Sequence, residues 1–273
     1  PYTTLFRSVM KIGFIGCGNM ATAMLKGILK CGEVKKVDMI ASAKSEKTRE
    51  KIQKELGIQR AENNCQVLEF ADVVFLAVKP QFLEGVLDEI KNSVKDGQIF
   101  ISIAPGKTLE WLAEHLGKNT KIIRTMPNTP AMVGEGMTGL CTNSLVTEEE
   151  TEMAVKLCNS FGKTEVIPEN LMDVVTGVSG SSPAYVFMFM EAMADAAVAD
   201  GMPRAQAYKF AAQAVLGSAK LMLETGKHPG ELKDMVCSPA GTTIQAVRIL
   251  EEKGLRSAVI EAQTACVKKS RGI

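Results

Sequence analysis

Apolar and polar positions change rhythm part-way along the chain. In the first part, short apolar runs alternate with amphipathic segments. Lys11 to Ile15 is one such run, followed by apolar residues at helical spacing to about Lys30. The same pattern predicts strands over 37–41, 72–78, 98–103 and 121–126, and helices over 46–56, 81–91 and 108–116. The runs at 72–78 and 98–103 are almost continuously apolar, as expected of strands covered on both faces. Strand–helix alternation of this kind argues for a parallel, doubly wound α/β sheet. A further strand is expected from Met137 to Thr142. Thr147-Glu148-Glu149-Glu150 reads as a capping box opening a helix that ends near Phe161-Gly162. Lys163 to Ile167 is the last strand, and Pro168 closes a first domain spanning 10–168.

From Glu169 onward the pattern is helical, so 169–273 is expected to be an all-α domain. Gly177-Val178-Ser179-Gly180-Ser181-Ser182-Pro183 reads as a glycine–serine break before a long helix, Ala184 to Asp200. That helix is apolar nearly all round, with Tyr185, Val186, Phe187, Met188, Phe189 and Met190 in succession. Such a helix belongs where every side is covered. A domain of about 100 residues seldom covers one alone, so a subunit interface, hence at least a homodimer, is expected. Further helices follow from Arg204 to Glu224, at Pro229, from Thr242 to Glu252, and from Arg256.

Composition narrows the function classes. The chain has 273 residues, 46% apolar and 23% charged, with a net charge of +1. That is a globular balance without the field that nucleic acid or an anionic membrane would call for. No apolar run is long and uncharged enough to cross a bilayer. The seven cysteines are scattered and form no CxxC pair, which suits reduced thiols in a cytoplasmic protein. Two histidines exclude a multi-histidine metal site, and no metal is expected. Met10 immediately precedes the first strand and is expected to be the natural start, with residues 1–9 an extraneous leader.

The first apolar run enters Gly16-Cys17-Gly18-Asn19-Met20-Ala21 and then a helix. This is G-x-G-x-x-A in strand–turn–helix context, which reads as the phosphate-binding turn of a Rossmann-type dinucleotide fold, with an ordinary βα turn as the other reading. Gly16 permits the turn, Gly18 admits the pyrophosphate, and Ala21 lets helix pack on strand. Ala104-Pro105-Gly106 gathers at the same ligand-collecting edge, and two further loops leave predicted strands there: Ala77-Val78-Lys79-Pro80 and Met126-Pro127-Asn128-Thr129-Pro130. On the residues alone, strand exits stopped by proline account for them equally well. An NAD-selective fold places an acid at the end of the second strand. Here that end reads Ile40-Ala41-Ser42-Ala43-Lys44, and Asp38 falls early in the strand. Ser42 and Lys44 suit a 2′-phosphate instead, which favours NADPH and leaves NADH second. A solvated helix lead-in is the other reading of Lys44.

In the helical part, Val236-Cys237-Ser238-Pro239-Ala240-Gly241-Thr242-Thr243 joins two helices. Ser238 can cap a helix start and Pro239 suits a first helical position. The N–H groups of Gly241, Thr242 and Thr243 would then form an anion site for a small carboxylate, with the Ser238 hydroxyl assisting. From the octet alone, a capped turn is the simpler reading. His228 is read as a surface residue before a helix and His115 as structural. Nothing basic beside Cys237 in sequence argues for a thiolate.

Extended upstream through His228-Pro229-Gly230-Glu231-Leu232-Lys233-Asp234-Met235, the octet resembles the signature of the pyrroline-5-carboxylate reductase family. The resemblance runs over nearly the whole chain from Met10. It implies NAD(P)H-dependent reduction of 1-pyrroline-5-carboxylate to L-proline, the last step of proline biosynthesis. It also implies that Ala77-Val78-Lys79-Pro80 and Asn128-Thr129 line the dinucleotide, the latter near the nicotinamide. The Thr243 hydroxyl would face the ring nitrogen as the catalytic group. The helices would interlock with a second subunit in a homodimer or higher homo-oligomer, with the substrate site at that interface. The chain departs from the family pattern at Ser182 and Ala240, where Gly is common, and at Ala43-Lys44, where Asn-Arg is frequent. Two other functions fit the layout. A β-hydroxyacid dehydrogenase would carry a lysine one turn after the glycine–serine break, where Pro183-Ala184-Tyr185-Val186-Phe187 has none. A non-catalytic NADPH-binding sensor would not need Ser238 and Thr243.

Overall fold

The computed structural model describes residues 10–272, so the expectation for residues 1–9 lies outside it. Two compact units are formed: one runs to Gly180 and takes in the chain end from Val267, the other is Ser181–Cys266.

In the first unit the strands are β1 (Ile12–Ile15), β2 (Met39–Ser42), β3 (Gln59–Arg60), β4 (Val73–Leu76), β5 (Ile99–Ser102), β6 (Lys121–Met126), β7 (Gly136–Thr142) and β8 (Gly162–Val166). The helices are α1 (Asn19–Cys31), α2 (Glu46–Lys51), α3 (Asn64–Phe70), α4 (Pro80–Ile90), α5 (Leu109–Leu116), α6 (Glu148–Asn159) and α7 (Met172–Val175). The eight strands form one sheet in the order β3-β2-β1-β4-β5-β6-β7-β8. β1 lies in parallel register between β2 and β4, Ile15 beside both Ser42 and Leu76. The loops leaving these three strands therefore emerge side by side. β1, β2, β4 and β5 are buried along their whole length. Phe14 and Phe75 stack across the β1–β4 pair, ring centroids 4.4 Å apart and planes within 7°.

Four features differ from the sequence expectation. The sheet is not wholly parallel: β7 runs antiparallel to β6, and β8 pairs parallel with β7. The link from β6 to β7 is a 3-10 turn, Thr129–Val133, too short for the crossover that parallel strands need. The second strand starts later than expected, because Lys36–Asp38 is a 3-10 turn and β2 begins at Met39. β3 and α3 were not anticipated; β3 is only two residues, Gln59 and Arg60, with no apolar alternation to mark it. The glycine–serine break is not a break: Thr176–Ser181 is a π-helical turn leading straight into the next helix. There the Thr176 hydroxyl donates to the Met172 carbonyl and the Ser179 hydroxyl to the Val175 carbonyl, so the widened turn keeps its acceptors paired.

The second unit holds α8 (Ser182–Ala199), α9 (Arg204–Thr225), α10 (Pro229–Val236), α11 (Thr242–Glu252) and the greater part of α12 (Leu255–Arg271). α8 and α9 pack on each other. The helix residues buried in this unit are three alanines, Ala194, Ala207 and Ala211. Phe187, Met188, Phe210 and Leu223 are 62%, 69%, 66% and 84% exposed. The all-apolar helix thus leaves most of its large side chains uncovered within the described residues. None of their helices is long and apolar enough to cross a membrane.

Candidate active site

The turn after β1 is built on two glycines. Gly16 has φ +93°, and a Cβ there would lie 2.7 Å from the Ala77 carbonyl oxygen, so the turn and the close approach of β1 to the β4 exit both require glycine. Gly18 is the N-cap of α1 and no side chain caps that helix end. A Cβ on Gly18 would meet nothing within 4 Å. Uncapped amides, open space and no acid in the first turn make a cradle that fits a pyrophosphate. Asn19 is exposed and Met20 half-buried at the mouth of the cradle, while Ala21 is buried against the sheet. Cys17 is buried with its sulfur 3.9 Å from the Thr22 hydroxyl, so its share in the cradle is backbone. Burial raises its thiol pKa, with the Thr22 contact and Lys51 opposing.

Beside this cradle, Ser42 ends β2, buried, its hydroxyl donating to Asn64 Oδ1 at 2.6 Å. Asn64 in turn donates to Glu89 at 2.7 Å. Ser42 is thus tied into an internal chain, while Lys44 is exposed with its Nζ over the Phe82 ring. Arg49 Nε donates to the Ala43 carbonyl at 2.7 Å and holds the loop that carries Lys44. No carboxylate stands at the end of β2, and Asp38 lies in the turn before the strand. Sequence reasoning missed Asn64 and Arg49. For Asn64 a signal existed: Asn63 and Gln66 have capping-box spacing, and Asn63 Oδ1 does accept from the Gln66 N–H while Gln66 Oε1 accepts from the Glu62 N–H.

Ala77-Val78-Lys79-Pro80 leaves β4, with the Ala77 N–H donating to the Ile15 carbonyl and Pro80 opening α4 behind the N-cap Lys79. The Asn128-Thr129 loop leaves β6. Asn128 is buried and pinned at both ends: Oδ1 accepts from the Met137 N–H at 2.8 Å and Nδ2 donates to the Ser179 carbonyl at 3.0 Å. Its side chain therefore fixes the loop, and exposed Thr129 is what the loop presents. Below it, Arg124 pairs with Glu169 at 3.0 Å, and Glu169 also accepts from the Leu109 N–H. Cys141 nearby is pushed up to about 12 by burial and by the Glu169 carboxylate, with Arg124 opposing. Burial alone puts Cys158 at about 12. Neither supplies a nucleophilic thiolate near neutrality.

In the second unit, the Ser238–Thr243 loop departs from the expected capping. The N-cap of α11 is Gly241, not Ser238, and no side chain caps the helix. Pro239 and Ala240 form a turn closed by the Gly241 N–H donating to the Ser238 carbonyl at 3.0 Å. The Gly241 amide is therefore engaged in the turn, and the amides of Thr242 and Thr243 begin the helix. A Cβ on Gly241 would collide with the Ser238 hydroxyl, so glycine here makes room for that side chain. Ala240 stands at φ +57°, the one non-glycine among the described residues with positive φ. Thr243 is half-buried; Ser238 and Thr242 are exposed. His228 Nδ1 accepts from the Gly230 N–H at the start of α10, and His115 lies against Trp111. No group of three or more His, Cys, Asp or Glu among the described residues is placed to hold a metal.

Comparison with known proteins bears on both units. Residues 169–273 match the family model described as pyrroline-5-carboxylate reductase dimerisation, and residues 11–106 match that described as NADP oxidoreductase coenzyme F420-dependent. The pyrroline-5-carboxylate reductase of Escherichia coli K12 is 56% identical over 260 residues, covering 95% of this chain and 97% of that protein. This chain belongs to the pyrroline-5-carboxylate reductase family. Solved structures of the family agree in fold. That from Coxiella burnetii superposes with a TM-score of 0.91 at 34% identity, covering 97% of this chain and 98% of that one. That from Plasmodium falciparum, solved with NADP bound, gives 0.86 at 31% identity, covering 96% and 97%. Both structures thus match this chain over nearly its whole length.

Proposed function

We infer that the protein reduces 1-pyrroline-5-carboxylate to L-proline, using NADPH as the hydride source. Family membership along nearly the whole chain carries this reading. The chemistry of both units agrees with it. When bound, NADPH delivers a hydride to the imine carbon, so the protein needs position and charge complementarity rather than a nucleophile. Gly16, Cys17, Gly18, Asn19 and Met20 hold the pyrophosphate by backbone at the uncapped start of α1. Lys44, at a strand end without an acid, favours the 2′-phosphate of NADPH over NADH. Ala77 to Pro80 and Asn128-Thr129 line the remaining dinucleotide. The Thr242 and Thr243 amides at the start of α11 take the substrate carboxylate, with the Ser238 hydroxyl beside them. The Thr243 hydroxyl orients the ring nitrogen, and the proton that the amine needs comes from water, directly or relayed through that hydroxyl. The working form is a homo-oligomer, with the substrate site formed at the subunit interface.

The deciding assay is NADPH oxidation with pyrroline-5-carboxylate, set against NADP reduction with a panel of hydroxyacids. Only the first is expected to turn over. Thr243→Ala then tests the site. A hydrogen bond to a charged group is worth about 1.5–3 kcal/mol, so kcat/KM is expected to fall roughly ten- to hundredfold. NADPH affinity stays near that of the parent, and Thr243→Ser keeps most of the activity. Parent-like kcat/KM in Thr243→Ala, or a loss of melting temperature without loss of rate, would reduce Thr243 to a structural residue.

A further inference from the structure

The pyrophosphate and the 2′-phosphate have partners in the cradle and at Lys44, but the adenine ring has none so far. Phe82 is a large apolar side chain in an unusual place. It sits on the first turn of α4, 54% exposed, while its neighbour Leu83 is fully buried in the core and fixes the roll of the helix. Pro80 at the first helical position makes that turn rigid. The ring does not point into empty solvent. Lys44, from the loop after β2, places its Nζ 5.7 Å from the ring centroid, within cation–π range. β2 and β4 flank β1 in the sheet. Lys44 and Phe82, reached from those two strands, therefore flank the exit of β1 that leads to the open cradle at Gly18. The Lys44 loop is held in place by Arg49 on the Ala43 carbonyl, and the Ser42–Asn64–Glu89 chain stiffens the end of β2.

We propose that Phe82 is the stacking platform for the adenine of NADPH, and that Lys44 leaves the ring face for the 2′-phosphate when the cofactor arrives. This rests on the NADPH reading above. An aromatic face suits a nucleobase because stacking needs a flat ring and no hydrogen-bond code. A cation resting on the same ring keeps that face from collapsing onto the protein and stands one side-chain swing from the anion it reads. The two residues then divide the labour. Phe82 sets affinity for any adenine dinucleotide, and Lys44 sets the preference for the phosphorylated one.

The probes are NADPH, NADH, 2′,5′-ADP and 5′-AMP, titrated against the full-length protein. Phe82→Ala and Phe82→Leu are expected to weaken NADPH and NADH alike, by about tenfold, and to weaken both small nucleotides. Phe82→Tyr keeps a flat ring and retains parent affinity. Lys44→Ala weakens NADPH and 2′,5′-ADP and spares NADH and 5′-AMP. Parent-like binding of all four ligands by Phe82→Ala overturns the proposal. So does a loss confined to NADPH and 2′,5′-ADP, which would mean that Phe82 acts only through Lys44. If the parent protein binds none of the four, the cofactor reading itself falls with it, a result distinct from either of these.

Discussion

The two units cover their apolar side chains by opposite means. In the sheet unit Phe14, Phe75, Phe100 and Phe161 are fully buried, and two apolar clusters hold them within the chain. In the helical unit Phe187, Phe210 and Leu223 are more than half exposed, and three alanines make up its buried helix residues. Hydrophobic supply is not the difference, since α8 is apolar nearly all round. Layering is. A sheet with helices on both faces closes its own core. Helices that meet through alanines bury little area and leave their large side chains facing outward. Fully burying one Phe, Leu or Met is worth about 1.5–3 kcal/mol. In the helical unit several such side chains remain outside the buried set. The sheet unit therefore closes its core within its own sequence, while the helical unit leaves large apolar side chains open, in keeping with a matching family model named for dimerisation.

The sharpest way to break this contrast is to charge the exposed face. Phe187→Glu would be nearly neutral on a true surface, within about 0.5 kcal/mol. In a covered interface, a two-fold axis places the charge twice, and hot-spot losses of about 4–8 kcal/mol are expected. Sedimentation velocity at micromolar concentration is expected to show the parent as an oligomer and the variant as monomer or aggregate, without activity. A Phe187→Glu protein that sediments and turns over like the parent would remove the interface.

The counterpart lies in the sheet unit. Phe75→Ala removes one ring of the Phe14–Phe75 stack from a fully buried position. The cost is expected to be about 3–5 kcal/mol. Because that core is closed within one chain, the loss is the same at every protein concentration, whereas the deficit of a monomeric Phe187→Glu against its oligomeric parent grows with concentration. Thermal melts across a hundredfold dilution series separate the two. A concentration-dependent penalty for Phe75→Ala would mean that the sheet unit also leans on a partner.

The same contrast explains what could be read before the fold was known. β6 over 121–126 and α11 over 242–252 match the pattern to the residue, because their apolar spacing is regular. The capping box at Thr147 and Glu150 is present in both its bonds. The direction of β7 was not legible, since apolar alternation is blind to strand polarity and only the short Thr129–Val133 link encodes it. β3 was too short and polar to show. In the candidate site, the glycine turn was legible because backbone constraints are local. Lys44 against Phe82, or Asn128 against Ser179, was not, because those pairs are made by the sheet order and not by spacing. The cap of α11 was misassigned to Ser238 because Ser-Pro mimics a helix start, whereas the turn delays that start to Gly241.

The smallest effect expected is also the one whose sign is least obvious. Gly16, Gly32, Gly57, Gly97, Gly106, Gly117 and Gly134 meet the demand for positive φ in the sheet unit, and Gly201, Gly226 and Gly254 do so in the helical one. Ala240, at φ +57°, does not follow this usage. A Cβ in the left-handed region costs about 1–2 kcal/mol. Replacing it by glycine frees the unfolded chain, which works against stability by about 0.4–1 kcal/mol. Relief of strain outweighs that added freedom, so Ala240→Gly is expected to stabilise by about 0.5–1 kcal/mol. A control in the same unit fixes the sign. Ala214→Gly lies in the interior of α9, where no strain is relieved, and is expected to destabilise by about 1 kcal/mol. The Thr242 and Thr243 amides keep their place at the start of α11, so the KM for the imine acid should change less than twofold. Melts of the two variants beside the parent decide the matter. If Ala240→Gly lowers the melting temperature as Ala214→Gly does, the turn carries no strain, and the alanine there contributes through its methyl group.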